Sequence, residues 1–255
     1  MIFIRVLIVG LLLWPVVARA QGAARISPES DLDVILDALE ARGKDLKDFS
    51  ADVTLTSVSE RTGAETSQTG KVAYQERGPG DARIRVNFGQ RKLENGATQP
   101  HKVDYLLDKG LLTDRDYTKK LEVKRQVIKP GQKMNLLKLG EGPFPLPIGQ
   151  PKQEVKMQFE VAKVAPTADD PKGTVHVKLV PKAGSQFEKR FRSIDVYLDP
   201  ATNMPARIDT SEKPDTARMT ELKNLKMNGG VGDEQFSLPN IDGEAGWNRR
   251  EEAFE

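Results

Sequence analysis

Apolar residues recur along this chain in two rhythms. Leu32, Ile35, Leu36 and Leu39 fall at i, i+3, i+4 and i+7, the spacing of one helix face. Ser27-Pro28-Glu29 ahead of them supplies an N-cap, a first-turn proline and a first-turn acid, and Arg42-Gly43 suits a C-terminus. The pattern predicts one amphipathic helix over 28–42. From residue 49 the period becomes two. Phe49, Ala51, Val53 and Leu55 alternate with Ser50, Asp52, Thr54 and Thr56; Ala82, Ile84, Val86 and Phe88 alternate with Arg83, Arg85 and Asn87. The same alternation returns in Val175, Val177 and Leu179, in Ile194, Val196 and Leu198, and more weakly in Met204, Ala206 and Ile208. Each stretch reads as a strand with one apolar and one polar face, as in an antiparallel sheet wetted on one side. Asp108-Lys109-Gly110 and Asp199-Pro200-Ala201-Thr202-Asn203 supply turns, so the strands follow one another as hairpins.

Other segments break these rhythms. Residues 140–149, with Pro143, Pro145 and Pro147 between Phe144, Leu146 and Ile148, lack the backbone donors of a central strand. A short helix is expected from Pro151, where Val155 and Phe159 stand four apart, and a helical turn over Met134 to Leu139. Gln90 to Pro100 and Val161 to Lys172 read as loops. Gly229-Gly230-Val231-Gly232 reads as a turn before a last strand at Phe236, and residues 241–255 as a polar, mobile tail. A long one-sided sheet with this little helix needs strong curvature to cover its apolar face. The expected class is therefore α+β, mainly β: a strongly curved antiparallel sheet forming an open half-barrel lidded by a few helices, with an apolar hollow beneath.

The first twenty residues change the picture. Arg5 precedes an apolar run from Val6 to Val17, and Ala18-Arg19-Ala20 offers a small-x-small cleavage site before Gln21. That is the layout of a removable secretory signal, too short to span a bilayer as a helix. The expected organisation is a signal peptide at 1–20, one domain at 27–240 and the tail at 241–255, with a periplasmic location after cleavage behind Ala20. Arg5 and Arg19 leave with the signal, so the 39 basic and 37 acidic residues become balanced. Nothing in that balance favours nucleic acid. The chain has no cysteine, which excludes a thiol nucleophile, a thiolate metal site and a disulfide scaffold.

Candidate chemistry is sparse. His101 and His176 stand alone, without the partners that catalysis or metal binding needs, and read as structural. Asp114-Arg115-Asp116 opens like a calcium loop, but Thr118 and Lys119 stand where a ligand and a glycine belong, so it reads as a hairpin turn. Asp169-Asp170 before Pro171 reads as a loop. A glycosidase-type carboxylate pair is defined by a separation in space that sequence does not show. No catalytic residue, metal or cofactor is assigned, and the chain is not read as an enzyme. Phe144, Leu146 and Ile148 either face a ligand at the lid or cap the core.

Several fragments, in order, resemble the periplasmic lipoprotein-carrier family of LolA and LolB. Phe49-Ser50-Ala51-Asp52-Val53 is similar to its first strand and Gly70-Lys71-Val72-Ala73-Tyr74 to its second. Val103 to Gly110 is similar to a strand and turn, and Leu179-Val180-Pro181-Lys182 to an L-x-P-K segment. Ile194-Asp195-Val196-Tyr197-Leu198-Asp199 with Pro205-Ala206-Arg207-Ile208 resembles the next hairpin, and Asn228 to Pro239 the family's final strand. The resemblance implies a soluble, monomeric carrier that shelters acyl chains of lipoproteins or lipids and moves them toward the outer membrane. An inner-membrane exporter and an outer-membrane acceptor would be its partners. It is the shuttle rather than the anchored acceptor that lacks a cysteine after the signal. The implied acyl contacts are Leu36 and Leu39 of the helix and Val53, Leu55, Val72, Tyr74, Ile84, Val86, Phe88, Val103, Tyr105, Ile194 and Val196 of the strands. Phe144, Leu146, Ile148 and Phe159 join them from the cover. Arg77, before Gly78-Pro79, corresponds to the family's lid latch, with a glycine interposed. The alternative is a periplasmic sensor or interaction module on the same fold, responding to lipid or to misassembled envelope components.

Overall fold

A computed structural model describes residues 25–78, 80–127, 136 and 148–253. Six strands come first after helix α1 (Leu32–Asp45): β1 (Asp48–Ser59), β2 (Glu65–Gly78), β3 (Asp81–Lys92), β4 (Thr98–Asp108), β5 (Leu111–Asp116) and β6 (Leu121–Gln126). Helix α2 (Lys152–Gln158) then leads into β7 (Phe159–Val164), β8 (Val175–Pro181), β9 (Phe191–Asp199), β10 (Met204–Glu212) and β11 (Thr216–Met227), and β12 (Asn248–Glu252) follows. All twelve strands form one curved, open sheet in the order β12-β6-β5-β4-β3-β2-β1-β11-β10-β9-β8-β7. Two meanders, β1–β6 and β7–β11, meet at the antiparallel β1–β11 seam, where Val53 opposes Leu222. The expected mainly-β curved sheet is what forms.

Alternation assigns the two faces. Phe49, Tyr74, Ile84 and Leu107 sit opposite one another across β1 to β4, and Val177, Val196 and Ile208 do so across β8 to β10. These residues and α1's Ile35, Leu36 and Leu39 belong to one buried cluster, so the helices lie on this inner face. Phe49 stacks on Tyr74 with centroids 5.5 Å apart, and Phe159 tilts against Phe187 at 4.8 Å.

The outer face is not simply wet. Residues 228–247 run across it from β2 to β6. Gln75 Nε2 donates to Val231 O at 2.9 Å, and Arg85 Nη1 to Gln235 O and Ser237 O at 3.1 and 2.9 Å. Arg115 Nη1 donates to Pro239 O at 2.6 Å. Beneath this strap Arg85 pairs with the fully buried Asp104 at 2.7 Å, and Arg115 pairs with buried Glu122. Trp247 meets Tyr117 edge-on, and β12 then adds to β6 in parallel, Asn248 opposite Leu121.

Several expectations are corrected. The helix begins after an Asp31 cap rather than at 28, because Ser27 and Ser30 close a turn of their own, and it runs past Gly43 to Asp45. Within the expected loops, β3 and β4 extend to leave only 93–97 between them, and β7 forms because β8 offers it a free edge. Asp114-Arg115-Asp116 is the end of β5, not a turn. Phe236 closes a 3-10 turn (Asp233–Phe236) held under Arg83 instead of a strand. The stretch from 241, expected as a tail, buries Ile241 and supplies β12. The signal at 1–20 and most of the turn at 134–139 lie outside the described residues, as do Phe144 and Leu146.

Candidate functional site

The candidate site is the inner face and its cover. The chain leaves β6, next to the β12 edge of the sheet, and returns through α2 to β7 at the other edge. Of the described residues between, Leu136 and Ile148 are buried in the main cluster. Ile148 therefore caps the core. At the crossing, Gly149 N–H donates to Leu39 O at 3.1 Å with Gly149 at φ +73°. A Cβ on Gly43 would fall inside the radius of Gly149 Cα, so two glycines are what let helix and crossing backbone touch.

The cover is tied at its rim by charge. Lys152 Nζ donates to Asp37 Oδ2 at 2.9 Å, and its backbone N–H to Glu40 Oε2 at 3.1 Å. Lys156 pairs with Asp33, and Lys163 Nζ reaches Pro28 O and Ser30 O at 2.9 and 3.1 Å. Arg77, the expected lid latch, bonds Asp81 at 2.7 Å and Asp108 at 2.5 Å, tying two hairpin tips together, and makes no hydrogen bond to α1 or α2 among the described residues.

Where the two helices meet β8 and β9, the described residues nearly fill the expected hollow. Leu36, Leu39, Gln150, Val155, Val177, Leu179 and Val196 surround a void of about 10 Å³, room for one water. Of the expected acyl contacts, Leu36, Leu39, Val53, Val72, Tyr74, Ile84, Val86 and Phe88 are buried, as are Val103, Ile148, Phe159, Ile194 and Val196. All but Val103 are brought together in one cluster, but against each other and the helices. Leu55 and Tyr105 are half-buried and pack at the margin of the same cluster. Burial holds the Tyr74 and Tyr105 phenols above their usual range, so both face the core uncharged.

The inner face becomes polar toward β5 and β6. Asp114 stands opposite Tyr105, half-buried, and no hydrogen bond or ion pair reaches its carboxyl among the described residues. Burial, then the neighbouring Asp116, raises its pKa. The native fold thus favours its protonated form. The resulting penalty is absent below the unfolded pKa and grows as pH rises through the folded one. Asp114→Asn should stabilise the chain at pH 7 by a few tenths of a kcal/mol after solvent screening, with the gain vanishing near pH 3.5. Thermal melts of both chains across that range check it.

The histidines take structural places. His176, on the outer face of β8, lies with Nε2 2.9 Å from Asp195 and Nδ1 3.4 Å from Asp170, and its ring stacks on Tyr197 at 4.3 Å. Burial, then Asp209, pushes the Tyr197 phenol up to about 12. The cluster pins the 165–174 loop to the sheet. His101 Nδ1 stands 3.4 Å from Thr118 Oγ1. What sequence missed is the outer-face track of Gln75, Arg83, Arg85 and Arg115. Their partners lie more than a hundred residues away, and only the placing of arginines on polar strand positions hinted at it.

No family model matches the chain, and no curated protein matches it. Solved structures with a similar fold include an uncharacterized conserved protein from Thermus thermophilus, 15% identical with a TM-score of 0.46, covering 86% of this chain and 98% of that one. A chain of the Pseudomonas aeruginosa MucA/MucB complex is 12% identical with a TM-score of 0.44; 80% of this chain is covered, and it spans 60% of that one's length. A putative outer membrane lipoprotein-sorting protein domain from Vibrio parahaemolyticus is 10% identical with a TM-score of 0.37, over 80% of this chain and 94% of that one.

Proposed function

We propose that this protein is a periplasmic carrier of acyl chains, with the inner face of its half-barrel as binding surface and α1 with α2 as the lid that takes the cargo's place at rest. The observation that carries this reading is an apolar inner face, spanning both meanders, on which the described residues place two helices tied at the rim by ion pairs. Between the helices and β8–β9 the described residues leave room for about one water, so binding there must exchange lid contacts for ligand contacts.

The magnitudes favour particular cargo. Ile35, Leu36, Leu39 and Val155 are the lid's buried anchors, and exposing four such side chains costs roughly 6–12 kcal/mol. One sixteen-carbon chain returns about 13 kcal/mol at ~0.8 kcal/mol per methylene before its own ordering cost. A single chain therefore about balances the lid, and two or three outweigh it. Multiply acylated lipids or lipoproteins are the expected cargo, and closure of the lid is what returns them to an acceptor. The Met1–Ala20 segment supports export to the periplasm, and an exporter and an acceptor on either side would complete the route.

Native mass spectrometry of the delipidated chain, offered a triacylated lipopeptide or palmitate, tests this. A one-to-one lipopeptide adduct and little palmitate is the expected result; no lipid adduct of either kind removes the reading. Lys152→Glu with Lys156→Glu sets acid against Asp37 and Asp33. That chain should take up a fluorescent acyl probe several-fold faster in stopped flow, with the fold retained by circular dichroism. The close packing between the helices and β8–β9 favours a second reading, an interaction module on the same scaffold. It would show as lipid-independent, saturable binding to an envelope protein.

A further inference from the structure

We infer that residues 231–252 form an exchangeable arm, and that a second copy of this chain places its own arm on the same outer-face track. The track recognises backbone. Gln75, Arg85, Arg115 and Lys120 donate to the carbonyls of Val231, Gln235, Ser237, Pro239 and Ala245. Phe236 under Arg83 and the buried Ile241 are the two apolar anchors. An identical arm from another copy meets every one of these contacts unchanged, which is the condition for exchange of an element between protomers.

Two features make the arm releasable against the hold that Asp48 keeps on its root, where it accepts from Gly229 N–H at 3.0 Å and Gly230 N–H at 3.2 Å beside an open groove of about 520 Å³. Gly230, at φ +79°, gives that root the freedom to reverse. What the arm covers is mostly charge, the Arg85–Asp104 and Arg115–Glu122 pairs, which water solvates when the arm lifts, while the apolar inner face stays covered on the other side of the sheet. The arm then ends by pairing with β6, and a strand edge of this kind accepts the same partner from another chain.

The absence of cysteine makes the test direct. Lys124 and Glu251 are register partners across β6 and β12, so Lys124→Cys and Glu251→Cys are made as separate chains and as one doubly substituted chain. The double variant should close internally with a short bismaleimide. A mixture of the two single variants should yield a covalent two-chain product, suppressed by excess synthetic peptide of residues 231–252. Deleting Gly229 and Gly230 shortens the reach within one chain and should raise that product at least about tenfold, with light scattering reading a dimer. Internal closure of the double variant with no two-chain product, in either background, overturns the exchange. Failure of internal closure overturns the docking itself. Neither result touches the acyl-binding reading, which concerns the opposite face.

Discussion

Replacing Glu122 with Ala should cost this chain about 3 kcal/mol, near the lower end of what breaking one half of a buried ion pair costs. Arg115 is 7% exposed and gives both Nε and Nη2 to the Glu122 carboxylate, with Nε at 2.8 Å. Without that partner a guanidinium remains in a poorly solvated place, with Pro239 O and the Tyr117 and Trp247 rings as its neighbours among the described residues. The cheapest relief is for the strap to lift and admit water. Amide exchange should therefore quicken at Asn248–Glu252 before it does in the seam strands, and urea melts should report the lost stability. Replacing Arg115 by Met together with Glu122 by Leu should restore most of it, since a pair removed whole leaves no stranded charge.

Gly43→Ala should produce the second large effect, and on the opposite face. In an ordinary helix interior this substitution gains about 1 kcal/mol. Here the new methyl meets Gly149 backbone, which no rotamer change relieves. The crossing segment must shift, and the Gly149 to Leu39 hydrogen bond goes with it. Overpacking of this kind costs about 1–3 kcal/mol, so net destabilisation of about 1–2 kcal/mol is expected in denaturant melts. The displaced cover should also admit an acyl probe faster than in the parent chain. Gly43→Ala with unchanged stability and uptake would mean that the helix and the crossing do not touch in solution.

Much of this fold was legible in residue order because alternation and helical spacing report burial directly. Leu32 to Leu39 announced α1, and Phe49 to Leu55 announced β1 with the correct residues inward. What stayed hidden depends on partners far off in the chain. Residues 159–164 lose the alternation after Val161, where Lys163 takes the face of Phe159 and Val161 while Ala162 and Val164 take the other, yet β8 makes them a strand. Asn248–Glu252 carry no apolar position at all and pair because β6 has a free edge. Gly43 suggested a helix end, whereas its role is set by Gly149, a hundred residues later. The inner-face contacts were legible as a set, but their mutual packing was not. Alternation says which way a side chain points and not whether a helix already fills the space it points into.

The seam between the two meanders has a consequence for how the chain is made. Each meander is built from neighbouring hairpins and closes from short-range contacts, whereas Phe49 and Met227, paired at the seam, stand 178 residues apart. Pairing at that separation is slow, because closing so long a loop costs entropy before any contact offsets it. During synthesis or translocation from the N-terminal side, β1 to β6 can assemble while β1 waits with one row of backbone groups unpaired. That waiting edge is the species most open to wrong pairing, and its lifetime, set by the arrival of β11, governs how much chain reaches the native state.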